Sequence, residues 1–136
     1  APVGGTERRG VAFAYGFHGA PGQWWHDVVR GALAERAGWE TARRWLDDVF
    51  EVAEVHVHPD HQNRGVGRRL LHALCAGRRE RTAVLSTHDR PGPARHLYHS
   101  VGFTDLITGF VFPGGYEEYA ILGAVLPLRS RTIPPD

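Results

Sequence analysis

Val55-His56-Val57-His58-Pro59-Asp60-His61-Gln62-Asn63-Arg64-Gly65-Val66-Gly67-Arg68-Arg69-Leu70-Leu71 is the stretch that decides the fold. Up to His58 it reads as the end of a strand, and Pro59-Asp60 turns the chain. From Gly65 to about Ala76 the apolar positions Val66, Leu70, Leu71 and Leu74 return at helical spacing. The glycines therefore fall between a strand and the first turn of a helix. The leading amides of a helix have no partner inside it, and the helix dipole places partial positive charge there. Glycine lets a ligand approach the backbone, so the turn suits a pyrophosphate, and Arg64, Arg68 and Arg69 add direct charge. Two familiar phosphate loops are excluded. A P-loop needs Gly-Lys-Ser/Thr, and the chain has no lysine. The dinucleotide fingerprint needs a third glycine where Leu70 stands. A glycine-rich turn that binds nothing is the competing reading.

Working outward, Gly10 to Phe17 reads as an apolar and aromatic strand, and Ala1 to Val3 as the end of a hairpin partner. Two helices follow, from Gln23 to about Glu35 and over Trp39 to Leu46. Phe50 to Val57 is a strand, Thr82 to Ser86 a buried strand, and Gly92 to Ser100 a short helix. Phe103 to Phe112 and Tyr119 to Leu128 form a terminal hairpin around Pro113-Gly114-Gly115. Strands alternating with helices before a hairpin predict a mixed α/β sheet in one domain.

Composition removes whole classes of function. Hydrophobic residues at 42% and charged residues at 23% of 136 are the balance of a globular domain. No apolar run nears the ~20 residues of a membrane span, so no membrane association is expected. Sixteen arginines against fifteen carboxylates leave a net charge of +1, too small a surplus for a nucleic-acid binder. One cysteine, Cys75, excludes an intrachain disulfide and reads as core. The absence of methionine indicates a processed chain, and Ala1 opens no signal peptide. A cytoplasmic location is expected. His56, His58 and His61 have spacing that can bind zinc, but no cysteine pair supports it and no metal is expected.

Gln62-Asn63-Arg64-Gly65-Val66-Gly67 resembles the Gln/Arg-x-x-Gly-x-Gly/Ala motif of the GNAT superfamily of acetyl-CoA-dependent N-acetyltransferases. Ala94-Arg95-His96-Leu97-Tyr98-His99-Ser100-Val101-Gly102-Phe103 resembles that family's second signature, Ala-x-x-Leu-Tyr-x-x-x-Gly-Phe. A helix and a strand separate the two, as in the family. The resemblance implies a mostly antiparallel central sheet with helices on both faces. It implies acetyl-CoA as co-substrate, its pantetheine arm pairing with the exposed backbone of Val55, His56 and Val57. A backbone amide there would polarise the thioester carbonyl. Gln62, Asn63, Arg64, Gly65, Val66, Gly67 and Arg68 would hold the pyrophosphate. Tyr98 matches the general acid that protonates the departing thiolate. The chain departs from the family in two places. Pro91 replaces an asparagine that Ser86, Thr87 or Asp89 would have to stand in for. The family's front, a strand and one or two helices that wall the acceptor site, is absent, so the domain reads as N-terminally incomplete.

An amine acceptor must lose a proton before it attacks, which calls for a base. Glu51 and Glu54 are the candidates. Strand alternation puts Glu51 on one face with Ala53, Val55 and Val57, and Glu54 on the other with His56 and His58. Resemblance favours the Glu51 parity, and a bulge could reverse the choice. All four tryptophans, Trp24, Trp25, Trp39 and Trp45, precede Asp47, Asp48 and Glu51, so an aromatic wall beside an acidic rim suits a cationic amine. Trp24, Trp25 and Asp48 are the candidate acceptor residues there. Tyr116-Glu117-Glu118-Tyr119 supplies the opposite wall, with Tyr116 the candidate contact. The expected reaction is acetyl transfer to a small cationic amine or a peptide amine, by direct attack in a ternary complex. The alternative is a non-catalytic acyl-CoA sensor, and a homodimer stays open.

Overall fold

The computed structural model describes residues 11–62 and 64–129, so the expectations for Ala1 to Val3 and for Asn63 lie outside the described residues. Its elements are β1 (Ala12–His18), α1 (Trp24–Ala37), α2 (Trp39–Leu46), β2 (Val49–Val57), α3 (Val66–Cys75), β3 (Thr82–His88), α4 (Pro93–Ser100), β4 (Thr104–Phe110) and β5 (Tyr119–Val125). A single 3-10 turn, Pro59–His61, follows β2. The strands lie in the order β1-β2-β3-β5-β4, antiparallel throughout except for β2 beside β3. This is the mixed, mostly antiparallel sheet expected from the sequence. Among the described residues no helix is long and apolar enough to cross a membrane. β5 stops at Val125, short of Pro127, which has no N–H to give to a ladder.

Helices cover both faces, and each face has its own core. Under α3 and α4, Leu71, Tyr98, Val101 and Phe103 meet Phe50, Val52, Leu85 and Leu122 of the sheet. Under α1 and α2, Val29, Leu33, Ala42 and Leu46 meet Val49, Val84 and Ile121. Of the apolar residues that recur at helical spacing in α3, Leu71 is buried and Leu74 packs against the same core, while Val66 and Leu70 are half-buried. Cys75 belongs to the first core, where burial pushes its thiol up to about 11, the state of a packed side chain rather than a nucleophile.

β2 does not keep one parity along its length. Its register against β1 slips between Tyr15↔Glu54 and Gly16↔Val52, leaving Ala53 as an extra residue. Phe50 and Val52 enter the core under α3 and α4, and Val55, three positions on, packs against that same core. Glu51 therefore lies on the opposite face with Val49 and does not share a face with Val55 and Val57. The bulge foreseen as a complication is present. It puts Glu51, Glu54 and His56 on the α1 side of the sheet together. Gly16 is what admits it: a Cβ there would collide with the Glu51 carbonyl oxygen and the Phe50 ring.

The parallel pairing of β2 with β3 runs only from Val49↔Thr82 to Glu51↔Val84. β3 continues to His88 because β5 holds its other edge over the whole length. β2 and β3 thus part like a wedge. The closed end is pinned by the Asp48 carbonyl, which accepts the amides of Arg81 at 3.0 Å and Thr82 at 3.3 Å. Thr82 Oγ1 also donates to the Trp45 carbonyl at 2.8 Å.

Gly16→Ala is expected to cost about 1–3 kcal/mol by overpacking the bulge, read as a lower urea midpoint. Gly31→Ala, inside α1 with nothing within 4 Å of the added methyl, is the control and should gain roughly 0.5–1 kcal/mol. Equal midpoints for the two variants would contradict the role given to Gly16.

Candidate active site

A groove of about 290 Å³ occupies the open end of the wedge. Val55 to Val57 line one side, Gly65, Gly67 and Arg68 the floor, and Leu97 and Tyr98 the other side. The turn that feeds it is built from its own side chains. His58 Nδ1 accepts the Asp60 amide at 3.1 Å, and Gln62 Nε2 donates to the Val57 carbonyl at 3.0 Å. Gln62 thus shapes the turn with His58, which caps the 3-10 turn, while His61 lies edge-on to His58 at 6.0 Å and His56 lies tilted against Phe13 of β1 at 5.3 Å. Gly65 opens α3 with a φ of 78°, a left-handed conformation that costs other residues energy.

Gly67 is needed for a different reason. A Cβ on it would lie 2.7 Å from Leu97 Cδ2, so the bare position lets the Leu97 side chain of α4 seat against α3. Arg68 is half-buried beside it, with Nη2 at 3.5 Å from Ser100 Oγ. Its Nε is buried without a hydrogen-bond partner among the described residues. A buried donor left open next to free helix-terminal amides fits an anionic group such as a pyrophosphate. Arg64 is exposed, and its carbonyl accepts from Arg69 Nη1 at 3.5 Å.

Across the wedge, β1 pairs with one edge of Val55–Val57, and β3 has already left the other. The backbone groups on that second edge face the groove. Tyr98 reaches the groove from the core side, at 8% exposure. Burial raises its hydroxyl pKa, and the negative charge of Glu54 raises it further. A phenol that holds its proton is a donor. Glu51 is 7% exposed on the α1 face, and burial lifts its carboxyl to about 7, partly opposed by His26. A carboxylate with that value takes protons near neutrality. His26, buried on α1, is fixed by a 2.6 Å hydrogen bond from Nε2 to the Leu46 carbonyl.

The acceptor candidates are dispersed by the helices that carry them. Trp25 is partly buried, and its indole N–H donates to Ser86 Oγ at 3.3 Å. Trp45 packs against Gly123, and Trp39 lies on the surface beneath Arg30. Only Trp24 stays exposed near the open end, 5.8 Å from the Phe112 ring. The acidic rim breaks up as well. Asp47 is paired to Arg30 at 2.8 Å, and Asp48 lies at the closed end of the wedge. Tyr116 is 85% exposed on the β4–β5 loop.

Two groups near the mouth were not singled out from sequence. His88 stacks on Tyr119 at 4.6 Å and bonds Glu117 at 2.7 Å. Phe112 joins Trp24 to Tyr119. The strand parity of Val84, Ser86 and His88 was the available signal for the first; Phe112 carried none. Of the polar residues set against the missing asparagine, Ser86 takes the Trp25 indole and Asp89 is committed to Arg95 and Gly109. Thr87 is left.

Residues 23–105 match the family model described as an acetyltransferase (GNAT) domain. A GCN5-like protein acetyltransferase of Mycobacterium tuberculosis is 43% identical over 123 residues, covering 87% of this chain and 59% of the relative. The N-alpha-acetyltransferase RimI of the same organism is 37% identical over 73 residues, covering 54% and 46%. The chain thus spans about half the length of these curated relatives. Among solved structures, a nourseothricin acetyltransferase superposes with a TM-score of 0.52 at 24% identity, covering 58% of this chain and 51% of that one, and shares its fold.

The Glu51 carboxyl has a sign that can be tested without a substrate. Folded, it binds its proton more tightly than at the unfolded value of 4.5, so stability is lost as pH rises from 4.5 to about 7. Glu51→Gln should therefore be more stable than the parent at pH 8, by up to about 3 kcal/mol, with the gap closing toward pH 4.5. Urea unfolding at the two pH values reads this; a variant less stable at pH 8 would contradict it.

Proposed function

Because the chain belongs to the GNAT acetyltransferase family, we propose that it transfers the acetyl group of acetyl-CoA to an amine, by direct attack in a ternary complex. The observation that carries this reading is the wedge itself. Among the described residues β2 has no partner on its β3 side beyond Glu51, a buried arginine donor stays open beside a helix N-terminus, a buried phenol lines the groove, and a carboxyl near pKa 7 stands at the last paired position of β2.

In this reading the α3 amides and Arg68 hold the pyrophosphate, and the free edge of Val55–Val57 takes the pantetheine arm. Acetyl-CoA supplies an activated acyl carbon. A β2 amide facing the wedge stabilises the negative charge that develops on the carbonyl oxygen. Glu51 removes a proton from the ammonium, by way of water if the amine stands off. The amine nitrogen bonds to the carbonyl carbon, the carbon–sulfur bond breaks, Tyr98 gives its proton to the thiolate, and the nitrogen's second proton passes through water to the Tyr98 oxygen, restoring the phenol and leaving a neutral amide. Glu54, on the same face as Glu51, keeps its place as the alternative base.

The acceptor we propose is a polypeptide amine rather than the small cationic molecule expected from the tryptophan-rich stretch. Those tryptophans form no continuous wall. The face that carries Glu51 instead presents exposed Phe13, Tyr15 and Phe17 along β1, with Trp24 and Tyr116 farther round, a broad surface rather than an enclosed pocket. The names of the two Mycobacterium relatives, a protein acetyltransferase and an N-alpha-acetyltransferase, point the same way.

Release of free CoA thiol across a panel of N-terminal peptides, lysine peptides and small diamines tests the reading. Peptides are expected to turn over first. The rate should rise with pH through an apparent pKa near 7 that Glu51→Gln removes. Tyr98→Phe should slow turnover roughly ten- to hundredfold without abolishing it, since a thiol leaves readily. Gly67→Glu should abolish acetyl-CoA binding in titration calorimetry. Saturable binding with no thiol release from any amine would replace catalysis with the acyl-CoA sensor, and no binding at all would overturn both.

A further inference from the structure

Arg95 stands on α4 three residues before Tyr98, with its side chain 16% exposed. Nη1 donates to Asp89 Oδ1 at 2.9 Å and Nη2 to Asp105 Oδ2 at 3.1 Å. Asp89 directly follows β3, and Asp105 belongs to β4. One turn farther along α4, His99 Nε2 bonds the other oxygen of Asp105 at 2.8 Å. The second oxygen of Asp89 accepts the Gly109 amide at 2.7 Å, in the part of β4 where its register against β5 slips. Two positions on one face of α4 are thus tied to the loop after β3 and to β4.

α4 needs such anchoring. It is eight residues long, has no side-chain N-cap, and starts just after Gly92. A short helix held by one contact can slide and roll. Held at Arg95 and His99, it can do neither. Tyr98 sits beyond this anchored face, packed edge-on against Phe103 with ring centroids 6.0 Å apart. Arg95 Nε is buried without a partner among the described residues, which only costs energy. Both aspartates are held below the usual carboxylate range, Asp89 chiefly by the Gly109 amide and then Arg95, Asp105 by His99 and Arg95 against its burial.

We propose that the Asp89–Arg95–Asp105 clamp, with His99, is the positioning device that sets where the Tyr98 hydroxyl enters the groove. It acts through Tyr98 and touches neither substrate nor acetyl-CoA. The inference rests on the reading of Tyr98 as the proton donor, and a double-mutant cycle on the full chain separates the two. With the peptide amine that turns over best, Tyr98→Phe and Arg95→Ala should each lower kcat about tenfold, and the double variant should fall no more than about twofold below either. A fully additive fall of about a hundredfold would overturn the clamp. Tyr98→Phe with parental kcat would overturn the role of Tyr98 instead. A second measurement needs no acceptor. The ring-carbon NMR signal of Tyr98 should move in Arg95→Ala and its titration midpoint should fall as the ring loses burial, while the signal of exposed Tyr116 stays put. An unmoved Tyr98 signal would contradict the clamp. If Arg95→Ala does not fold, Asp105→Asn weakens one arm of the clamp and should shift the Tyr98 signal in the same direction.

Discussion

The short parallel pairing between β2 and β3 is the constraint on which the rest of the structure depends. Three residue pairs join these strands, and beyond Glu51↔Val84 they separate although each remains a strand. β1 holds the far edge of β2, and β5 holds the far edge of β3, so neither strand can swing back to close the gap. At the other end the Asp48 carbonyl and the Thr82 hydroxyl fasten the chain. Unpaired backbone amides and carbonyls inside a fold are costly unless water or a ligand meets them. In the proposed function the wedge is the receptor for an extended, amide-bearing chain, with the α3 N-terminus at the charged end of that chain.

The bulge in β2 connects this backbone geometry to the chemistry. By inserting Ala53 it turns Val55 and Val57 toward α3 while leaving Glu51, Glu54 and His56 on the α1 face. The two residues proposed as acid and base are thereby divided across the sheet, with Tyr98 on the core side of the wedge and Glu51 on the α1 face. Each is kept protonated at higher pH than usual by burial, and each was placed against the preference of its charged form for water. Glu51 in particular is a local choice that disfavours folding at neutral pH, the conflict expected where function sets the residue.

Much of this was legible in the sequence, and the rest was hidden for identifiable reasons. Helix and strand positions followed from apolar spacing because each face of the sheet buries a full core. The glycine turn was readable because Gly65 and Gly67 interrupt a strand-to-helix transition, although their two tasks, a left-handed opening and a close helix contact, look the same in sequence. The side on which Glu51 falls was not readable, since nothing within Val52-Ala53-Glu54 marks an extra residue. Its signal lay in the partner strand, at Gly16. The tryptophans make no single wall because α1 and α2 point Trp25 and Trp45 inward, as their helical spacing favours, and Trp39 away. The Asp89–Arg95–Asp105 network joins a loop, a helix and a strand, and no local pattern announces it.

Amide hydrogen exchange along β2, with and without acetyl-CoA, tests most directly that the open edge of this strand is the cofactor edge. Amides of Val55–Val57 that face the wedge should exchange quickly in the free protein and become protected with acetyl-CoA, together with those at the start of α3. The amides that β2 and β1 share should change little. Unaltered exchange at Val55–Val57 in protein saturated with acetyl-CoA, or protection confined to the α1 and α2 surface, would contradict the central claim.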